Sequence, residues 1–440
     1  MARRGWITEW APEDEAFWRD TGRRVARRNL VFSIAAEHLG FSVWLMWSVV
    51  AVSLPAAGFP FTADQLFWIV AVPNLVGSFM RIPYTAAVAR FGGRNWTALS
   101  AGVLLVPVGL LAWCVTHPGT PYWMFLVAAA TAGLGGGNFA SSMANISYFY
   151  PERAKGTMLG INAAGGNIGV AVVQLVAPVA IGASLFLENV AYVYLLPIVA
   201  ATVCAWLYMD NLSTVQARLS TQLTALRSKH TWVMSFLYIG TFGSFIGYSA
   251  AFPLLIKSQF PAVAAVKLAF LGPLVGSLSR PAGGWLSDRI GGARVTAVTF
   301  LLMGAGVGGV LVSLNVRGFG LFLASFLFLF VLSGVGNGST YRMIPAIFRA
   351  EALRSPDQEA ALARGRTQAA AVIGLASAIG AFGGFLIPRG FGMSIAQTGS
   401  INAALVTFLA GYGACLVVTW WFYLRRVLDS WSPSLAMAEV

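Results

Sequence analysis

Two arginines stand in the middle of apolar stretches, and the residues before each follow one pattern. Leu75–Arg81 reads LVGSFMR, and Leu274–Arg280 reads LVGSLSR at an offset of 199 residues. An arginine at the centre of a membrane helix costs about 2.5–3.5 kcal/mol on insertion scales, so a matched pair indicates function. Pairing of each guanidinium with a buried carboxylate is the structural alternative, but the apolar stretches hold almost no acidic residues. We therefore expect an anion-binding site where two repeats meet.

The composition is typical of a membrane protein that crosses the bilayer many times. Apolar residues make up 57% of the 440 and charged residues 10%, with a mean hydropathy of +0.72. A soluble domain carries about a quarter charged residues. Twelve apolar segments are long enough to span a bilayer. They lie at 30–54, 64–89, 96–116, 121–149, 157–183, 190–209, 231–256, 265–287, 293–314, 318–347, 367–388 and 400–424. The prediction is an all-α membrane protein with twelve transmembrane helices.

Polar stretches divide these spans into two six-helix halves. The predicted parts are an N-terminal segment at 1–29, a first half at 30–210, a linker at 211–230, a second half at 231–426 and a tail at 427–440. Of the 29 Lys and Arg residues, 22 fall on the side of the termini and four in the opposite loops. Positive charge marks the cytoplasmic side, so we expect both termini in the cytoplasm. No signal peptide is evident, and the expected location is the cytoplasmic (inner) membrane.

Several classes of function are excluded. A net charge of +13 would suggest nucleic acid in a soluble protein, but here the basic residues sit in short loops between spans. The three cysteines lie inside apolar spans without metal-ligand spacing. No catalytic triad, nucleotide-binding motif or metal-ligand set is present, so we expect neither an enzyme nor a cofactor. The expected partners are small anions and membrane lipid, and we expect a monomer.

The repeat extends beyond the arginines. Arg90-Phe-Gly-Gly-Arg94 and Arg289-Ile-Gly-Gly-Ala-Arg294 each begin nine residues after the buried arginine of their half. Gly135-Gly-Gly-Asn138 matches Gly334-Val-Gly-Asn337, again at 199 residues. Parallel repeats of this kind occur in transporters that bind substrate near the bilayer midplane and work by alternating access.

One loop motif resembles a known superfamily. Gly284–Arg294 is similar to the G-x-x-x-D-R-x-G-[RK]-[RK] loop of the major facilitator superfamily, although Gly292 and Ala293 replace the basic pair. The resemblance implies the major facilitator fold and a cytoplasmic latch between helix ends. It assigns gating to Asp288, Arg289, Arg294 and, in the first half, Arg90. The first copy lacks the aspartate, and a solvated basic loop is the alternative for Arg90.

Glycine-rich spans resemble the signatures of one family within that superfamily. The segments 133–143, 160–169 and 374–384, with Tyr238–Gly247, are similar to the signatures of the nitrate/nitrite porter family. No strand precedes these glycines as a phosphate-binding loop would require. In membrane helices glycines allow close backbone approach, and we expect this of six of them. They are Gly165, Gly166, Gly169, Gly380, Gly383 and Gly384.

The same resemblance assigns the residues that contact the anion. They are Arg81, Arg280, Phe139, Asn167, Tyr238 and Phe242. Nitrate is planar and delocalised, so guanidinium forks suit it, aromatic faces can cover it, and amide or phenol groups can donate hydrogen bonds. For each aromatic taken singly, ordinary core packing is the alternative.

The predicted function is secondary active transport of nitrate and nitrite, as nitrate/nitrite antiport or as proton-coupled nitrate uptake. Glu37 and His38 in the first span are the candidates for proton coupling. A polar pair near the helix end, in contact with arginines, is the alternative for both. Carriers of another small anion or an organophosphate, and an anion channel or receptor, are the other functions that the sequence leaves open.

Overall fold

The computed structural model describes residues 6–182, 184–213, 224–263, 266–354, 357–425 and 435. Twelve long helices account for nearly all of these residues. They are α1 Glu15–Ser53, α2 Ala63–Phe91, α3 Gly93–Thr116, α4 Tyr122–Phe149, α5 Glu152–Ile181, α6 Glu188–Tyr208, α7 Lys229–Gln259, α8 Leu271–Ile290, α9 Gly292–Asn315, α10 Phe319–Ala352, α11 Gln358–Thr398 and α12 Asn402–Leu424. The predicted linker at 211–230 lies partly, and the predicted tail at 427–440 almost wholly, outside the described residues.

Within the described chain, eleven of these helices are long and apolar enough to cross a membrane. The remaining one is α8, which has 20 residues and carries the buried Arg280. Its predicted span began at 265, but Val266–Leu268 forms a short 3₁₀ turn and the helix begins only at Leu271.

The ends of α2 show how local sequence sets a helix boundary. At its start, the Thr62 hydroxyl accepts a hydrogen bond from Gln65 N (3.3 Å), and the Gln65 side chain accepts one from Thr62 N (2.9 Å). This reciprocal pair satisfies two backbone donors that the first turn would leave open. At its end, Gly92 takes a φ of 88°, and Gly291, 199 residues later, takes 89°. Only glycine adopts this backbone without strain, which explains the repeated glycines in the two loops.

Burial separates central helices from peripheral ones. In the most apolar window of α7, 89% of the residues are buried, whereas in α6 and α12 only 28% are. Val179 and Leu196 are each 77% exposed. Apolar side chains exposed in this way on spanning helices are suited to contact lipid.

The helices form two compact units. The first comprises residues 1–217 with 252–257 and 264–270, and the second comprises 218–251, 258–263 and 271–440. In the first unit α2 packs on α4 and α1 packs on α5; in the second α8 and α9 pack on α10. The α2–α4 contact and the α8–α10 contact are equivalent under the 199-residue repeat.

Glycines allow α4 and α10 to approach neighbouring helices closely, although the two neighbours are not equivalent in the repeat. A β-carbon on Gly135 of α4 would overlap the backbone carbonyl of Gly40 in α1. A β-carbon on Gly334 of α10 would overlap the carbonyl of Gly276 in α8. Gly135 and Gly334 are equivalent positions of the repeat, so both units need glycine at the same place.

Residues 6–29, which precede the first predicted span, pack within the first unit. Trp6–Ile7 forms a short parallel pair with Asn211–Leu212, with Trp6 opposite Asn211. The α1 helix begins at Glu15, where the Asp14 carboxylate accepts hydrogen bonds from two backbone N–H groups of the first turn. A π-helical turn at Trp18–Gly22 interrupts it before the apolar part. The helix therefore starts well before the predicted span at 30–54.

Candidate functional site

Arg81 is fully buried in the first unit, in the middle of α2. Its Nε donates a hydrogen bond to the carbonyl oxygen of Gly136 in α4 (3.2 Å). Its guanidinium carbon lies 4.6 Å from the ring centroid of Phe139 and 5.4 Å from that of Trp44. Aromatic faces attract cations most strongly when water is excluded. The partners named here are neutral, so they orient the charge without cancelling it.

The glycine-rich start of α4 brings these groups together. Gly136 lies against both the Trp44 ring and Gly77, and a side chain there would push α4 away from α1 and α2. Because Gly136 has no side chain, its carbonyl and the Phe139 ring one turn later both reach Arg81. The indole N–H of Trp44 donates to Pro73 O (2.8 Å), which fixes the orientation of that ring.

Two buried asparagines of the first unit carry unused hydrogen-bonding groups. Asn167 in α5 is fully buried and Asn138 in α4 is 3% exposed. Neither side chain has a hydrogen-bond partner on its amide oxygen or nitrogen within the described residues. A buried amide without partners costs about 1–3 kcal/mol, so such groups point to a ligand or to bound water. Asn167 was predicted to bind the anion, whereas Asn138 was part of a motif without an assigned role.

Arg280 is the buried arginine of the second unit, at 6% exposure in α8. Its Nη2 donates a hydrogen bond to the hydroxyl of Tyr238 in α7 (3.3 Å). Its guanidinium carbon lies 5.3 Å from the centroid of the Tyr341 ring in α10. Since the Tyr238 oxygen accepts from the guanidinium, its own hydrogen is free to donate to a further acceptor.

Tyr238 and Phe242 form one aromatic wall. Their rings are stacked at 5.3 Å with an interplanar angle of 11°, and both side chains are buried. A π-helical turn at Ile239–Gly243 contains Phe242 and follows Tyr238 directly. Such turns are frequent at functional sites in membrane and soluble helices alike.

Glu37 lies inside the first unit, in a polar cluster that joins three helices. It is fully buried, and Asn162 Nδ2 in α5 donates to its Oε2 (2.8 Å). The same amide lies 2.7 Å from the Ser142 hydroxyl in α4, which lies 2.9 Å from the Ser33 hydroxyl in α1. Glu37 is thus joined through Asn162 to α5 and α4.

His38 faces a different direction from its neighbour. Its Nδ1 lies 3.1 Å from the carbonyl oxygen of Gly165, and its side chain lines a surface groove between α1 and α6. A β-carbon on Gly166 would overlap the Glu37 carboxyl group, and one on Gly169 would overlap the His38 carbonyl. Gly165 and these two glycines therefore hold α5 against α1.

The predicted packing glycines of α11 lie against α7. A β-carbon on Gly380 would overlap the Tyr238 ring, and one on Gly383 would overlap Gly243. Gly384 is also buried. Close packing of α11 against α7 therefore supports the aromatic wall of Tyr238 and Phe242.

The predicted latch residues have a partner that the sequence did not suggest. Asp288 accepts from Nε of Arg342 in α10 (2.5 Å), and both side chains are about half exposed. Arg289 lies over the Trp285 ring at 4.1 Å, and Arg294 Nη1 donates to Ile290 O (3.4 Å). In the first unit, Arg90 lies over its neighbour Phe91 at 5.7 Å. The ion pair therefore links α8 to α10 within the second unit.

Four contacts of the candidate site were not predicted from the sequence. Trp44 and Tyr341 each lie over a buried arginine, but they occupy positions that the 199-residue repeat does not match. Asn162, the partner of Glu37, lies among glycines and could have been recognised only as a polar residue in an apolar span. Arg342 is a charged residue in an apolar span, but nothing in the motif of Asp288 indicates that the two form a pair.

Comparison with known proteins agrees with this architecture. The model of the Major Facilitator Superfamily matches residues 39–388. Solved structures of a D-xylose–proton symporter (TM-score 0.66, 15% identity, 93% of this chain and 100% of that one) and of a bacterial homologue of the lysosomal transporter Spinster (0.65, 15%, 89% and 95%) share the fold. The predicted twelve-helix membrane fold is thereby confirmed.

Relatives of higher identity fall in one branch of that superfamily. The nitrate/nitrite transporter NarU of Salmonella typhimurium is 43% identical, over 96% of each chain. The probable nitrate/nitrite antiporter NarK2 of Thermus thermophilus is 36% identical, over 97% of this chain and 98% of its own. The fold and these relatives define a multi-pass membrane transporter and not an enzyme. The chain belongs to the Major Facilitator Superfamily and, within it, to the nitrate/nitrite porter family.

Proposed function

We propose that this protein carries nitrate and nitrite across the cytoplasmic membrane by alternating access, with both termini in the cytoplasm. The observation that carries the proposal is a buried guanidinium in each unit, at equivalent positions of the repeat. Relatives named as nitrate/nitrite transporters, similar over almost the whole chain, support the choice of substrate. Arg81 and Arg280 are each proposed to bind the anion.

The neighbours of the arginines suit a small planar anion. Nitrate spreads one negative charge over three oxygens in a plane, so it accepts several weak hydrogen bonds at once. Arg81 and Arg280 supply planar forks of donors, and Asn167 and Tyr238 add neutral donors. Phe139 and Phe242 are proposed to cover the faces of the anion and exclude water, which strengthens the ionic contacts.

An organophosphate fits this set less well. A phosphate group carries close to two negative charges at neutral pH, together with an organic part that needs polar partners and space. The groups around Arg81 are two aromatic rings and a backbone carbonyl, and all are buried. A site with such neighbours favours a weakly hydrated anion that carries a single negative charge.

For the coupling mode, we propose that Glu37 binds the proton if uptake is proton-coupled. A carboxyl group buried among membrane helices is costly to keep charged, and such groups commonly mark proton pathways. Glu37 bonds to Asn162, whose amide also reaches Ser142, so a change of its charge would be felt by α4 and α5. His38, turned toward the surface groove, is not part of that cluster.

Counterflow in proteoliposomes tests the proposal. Vesicles loaded with nitrite should take up labelled nitrate faster than empty vesicles. The reason is that the carrier then returns to the outside with nitrite bound after each delivery of nitrate. One-for-one exchange moves no net charge, so its rate should not follow the membrane potential. By contrast, one uncompensated charge is worth about 2.3 kcal/mol per 100 mV. A channel would show no stimulation by internal nitrite, and a receptor would show no flux, so either result would reject the carrier.

A competition experiment separates the other anion carriers. Unlabelled chloride, formate, sulfate and glycerol 3-phosphate should each inhibit nitrate uptake less than nitrite does at equal concentration. Stronger inhibition by glycerol 3-phosphate would favour the organophosphate carrier.

A further inference from the structure

The N-terminal part of α1 carries a cationic surface that leads into an apolar groove. Its five arginines line a depression of about 450 Å³ together with Val31 and Phe32. A second depression of about 440 Å³ begins at the same Val31 and Phe32 and continues between α1 and α6. The arginines of this surface, all exposed, are Arg19, Arg23, Arg24, Arg27 and Arg28.

Helical spacing explains why the two depressions join. Arg23, Arg27, Val31 and Ala35 follow one another at four-residue intervals, so they lie along one face of the helix. At about 1.5 Å per residue, the distance from Arg23 to Val31 is about 12 Å, and the same distance leads from Val31 to Leu39. The hydrocarbon of one leaflet is about 15 Å deep, half of the bilayer core. The groove therefore has the depth of one leaflet and the arginines have the position of its headgroups.

Most of the positive charge on this surface is not neutralised by carboxylates. Arg28 forms an ion pair with Asp210 (2.6 Å), and Arg19 forms one with Asp20 (3.2 Å). The ion pairs found in the described part of the chain do not include Arg23, Arg24 or Arg27. Guanidinium groups bind phosphate oxygens in a bidentate manner and are weakly hydrated, so they suit a phosphodiester at a membrane surface.

Small side chains make the groove. On the α6 side it is lined by Pro197, Ala200, Ala201 and Cys204, which leave room that larger residues would fill. His38 is the polar residue of the lining, and its Nδ1 faces the carbonyl of Gly165. The surface left for an occupant is therefore apolar and suits an acyl chain.

We propose that this surface and groove bind an anionic phospholipid, with its phosphate on the arginines and one acyl chain between α1 and α6. A basic pocket beside membrane helices on the cytoplasmic side is a recognised form of lipid site. Charge complementarity selects the headgroup, and the adjoining apolar groove selects a lipid over a free anion. The proposal does not depend on which substrate is carried.

Native mass spectrometry of the purified protein tests the headgroup. Wild type should retain phosphatidylglycerol in preference to phosphatidylcholine. The variant Arg23→Gln, Arg24→Gln, Arg27→Gln should bind phosphatidylglycerol at least about tenfold more weakly, since each arginine near an anionic surface contributes about a factor of five. The matched control removes three exposed arginines of the second unit and should bind as wild type does. Its changes are Arg349→Gln, Arg364→Gln and Arg366→Gln.

Two further measurements test the groove. Ala201→Trp should reduce retention of phosphatidylglycerol, because the indole fills the space given to the acyl chain. Glycerol 3-phosphate, the headgroup chemistry without chains, should protect wild type against thermal unfolding far less than the lipid does. Unfolding temperatures without lipid show whether each variant is folded.

Four outcomes would overturn the proposal. Equal loss in the triple variant and its control would show that only surface charge matters. Undiminished binding in Ala201→Trp would show that the acyl chain does not lie in the groove. Equal protection by glycerol 3-phosphate would show that the ligand is not a lipid. Wild type that retains phosphatidylcholine as strongly as phosphatidylglycerol would reject the site without recourse to any variant.

Discussion

Replacement of Arg81 by lysine tests the proposed anion site while the formal charge is kept. The change removes the Nε–H bond to Gly136 O (3.2 Å) and the flat guanidinium that lies over Phe139 (4.6 Å) and Trp44 (5.4 Å). The lysine ammonium is compact and strongly hydrated, and it offers no planar fork. Because Arg81 is fully buried, water cannot replace what is lost.

The size of the effect follows from one charged hydrogen bond. Such a bond contributes about 1.5–3 kcal/mol, and 1.4 kcal/mol corresponds to a tenfold change in affinity. Loss of one arm of the fork should therefore weaken nitrate binding about 10- to 100-fold. Arg153→Lys is the matched control: Arg153 is exposed and pairs with Glu15 (2.8 Å), a contact that lysine can keep. It should leave nitrate affinity unchanged.

Nitrate/nitrite counterflow in proteoliposomes measures this affinity directly. The half-saturating nitrate concentration should rise in Arg81→Lys, and the unfolding temperature of the purified variant shows whether the fold is retained. A folded Arg81→Lys variant with a half-saturating concentration within twofold of wild type would refute the role given to the guanidinium plane. Equal losses in Arg153→Lys would show that the effect is not specific to the buried position.

Three other changes test separate parts of the molecule. Glu37→Gln should abolish the pH dependence of nitrate uptake while counterflow with nitrite persists. Asp288→Asn should change the counterflow rate by up to about fivefold, because an exposed ion pair contributes at most about 1 kcal/mol. The exchange Asp288→Arg with Arg342→Asp should restore the rate. Gly166→Ala should lower the free energy of unfolding by about 1–3 kcal/mol, since its β-carbon would overlap the carboxyl group of Glu37; thermal unfolding measures this.

Each of these changes has a neighbouring control. His38→Asn should keep the pH dependence, and Gly160→Ala should not destabilise the protein, because the space beside Gly160 in α5 is open. Unchanged pH dependence in Glu37→Gln would exclude that residue as the proton site. Failure of the exchanged pair to restore the rate would show that Asp288 and Arg342 do not act through their mutual attraction. A Gly166→Ala variant as stable as wild type would show that α5 need not approach α1 so closely.

The buried arginines could be predicted from sequence because charge in an apolar span is rare and the surrounding pattern is repeated. The repeat also extends to backbone conformation, since Gly92 and Gly291 have φ values of 88° and 89°. The start of α1 at Glu15 was not predictable from hydropathy, because the turns before the span are rich in arginine. That part of the helix is amphipathic at the membrane surface and gives no apolar run.

Contacts between side chains that are distant in sequence could not be predicted from the repeated pattern. Trp44 corresponds to Gly243 under the 199-residue repeat, and Tyr341 corresponds to Ser142. The rings over the two arginines therefore come from positions that are not duplicated. A repeat predicts what the two halves share, whereas packing decides which neighbouring ring reaches each guanidinium.

These unmatched neighbours give the two arginines different chemical surroundings. Arg81 donates a hydrogen bond to the backbone carbonyl of Gly136, and its guanidinium lies beside the rings of Phe139 and Trp44. Arg280 is held by the hydroxyl of Tyr238, which can rotate its hydrogen toward an anion. Tyr238 stacks on Phe242, which lies in the π-helical turn of α7. The buried arginines of the two units therefore differ in their neighbours, although their positions in the repeat are equivalent.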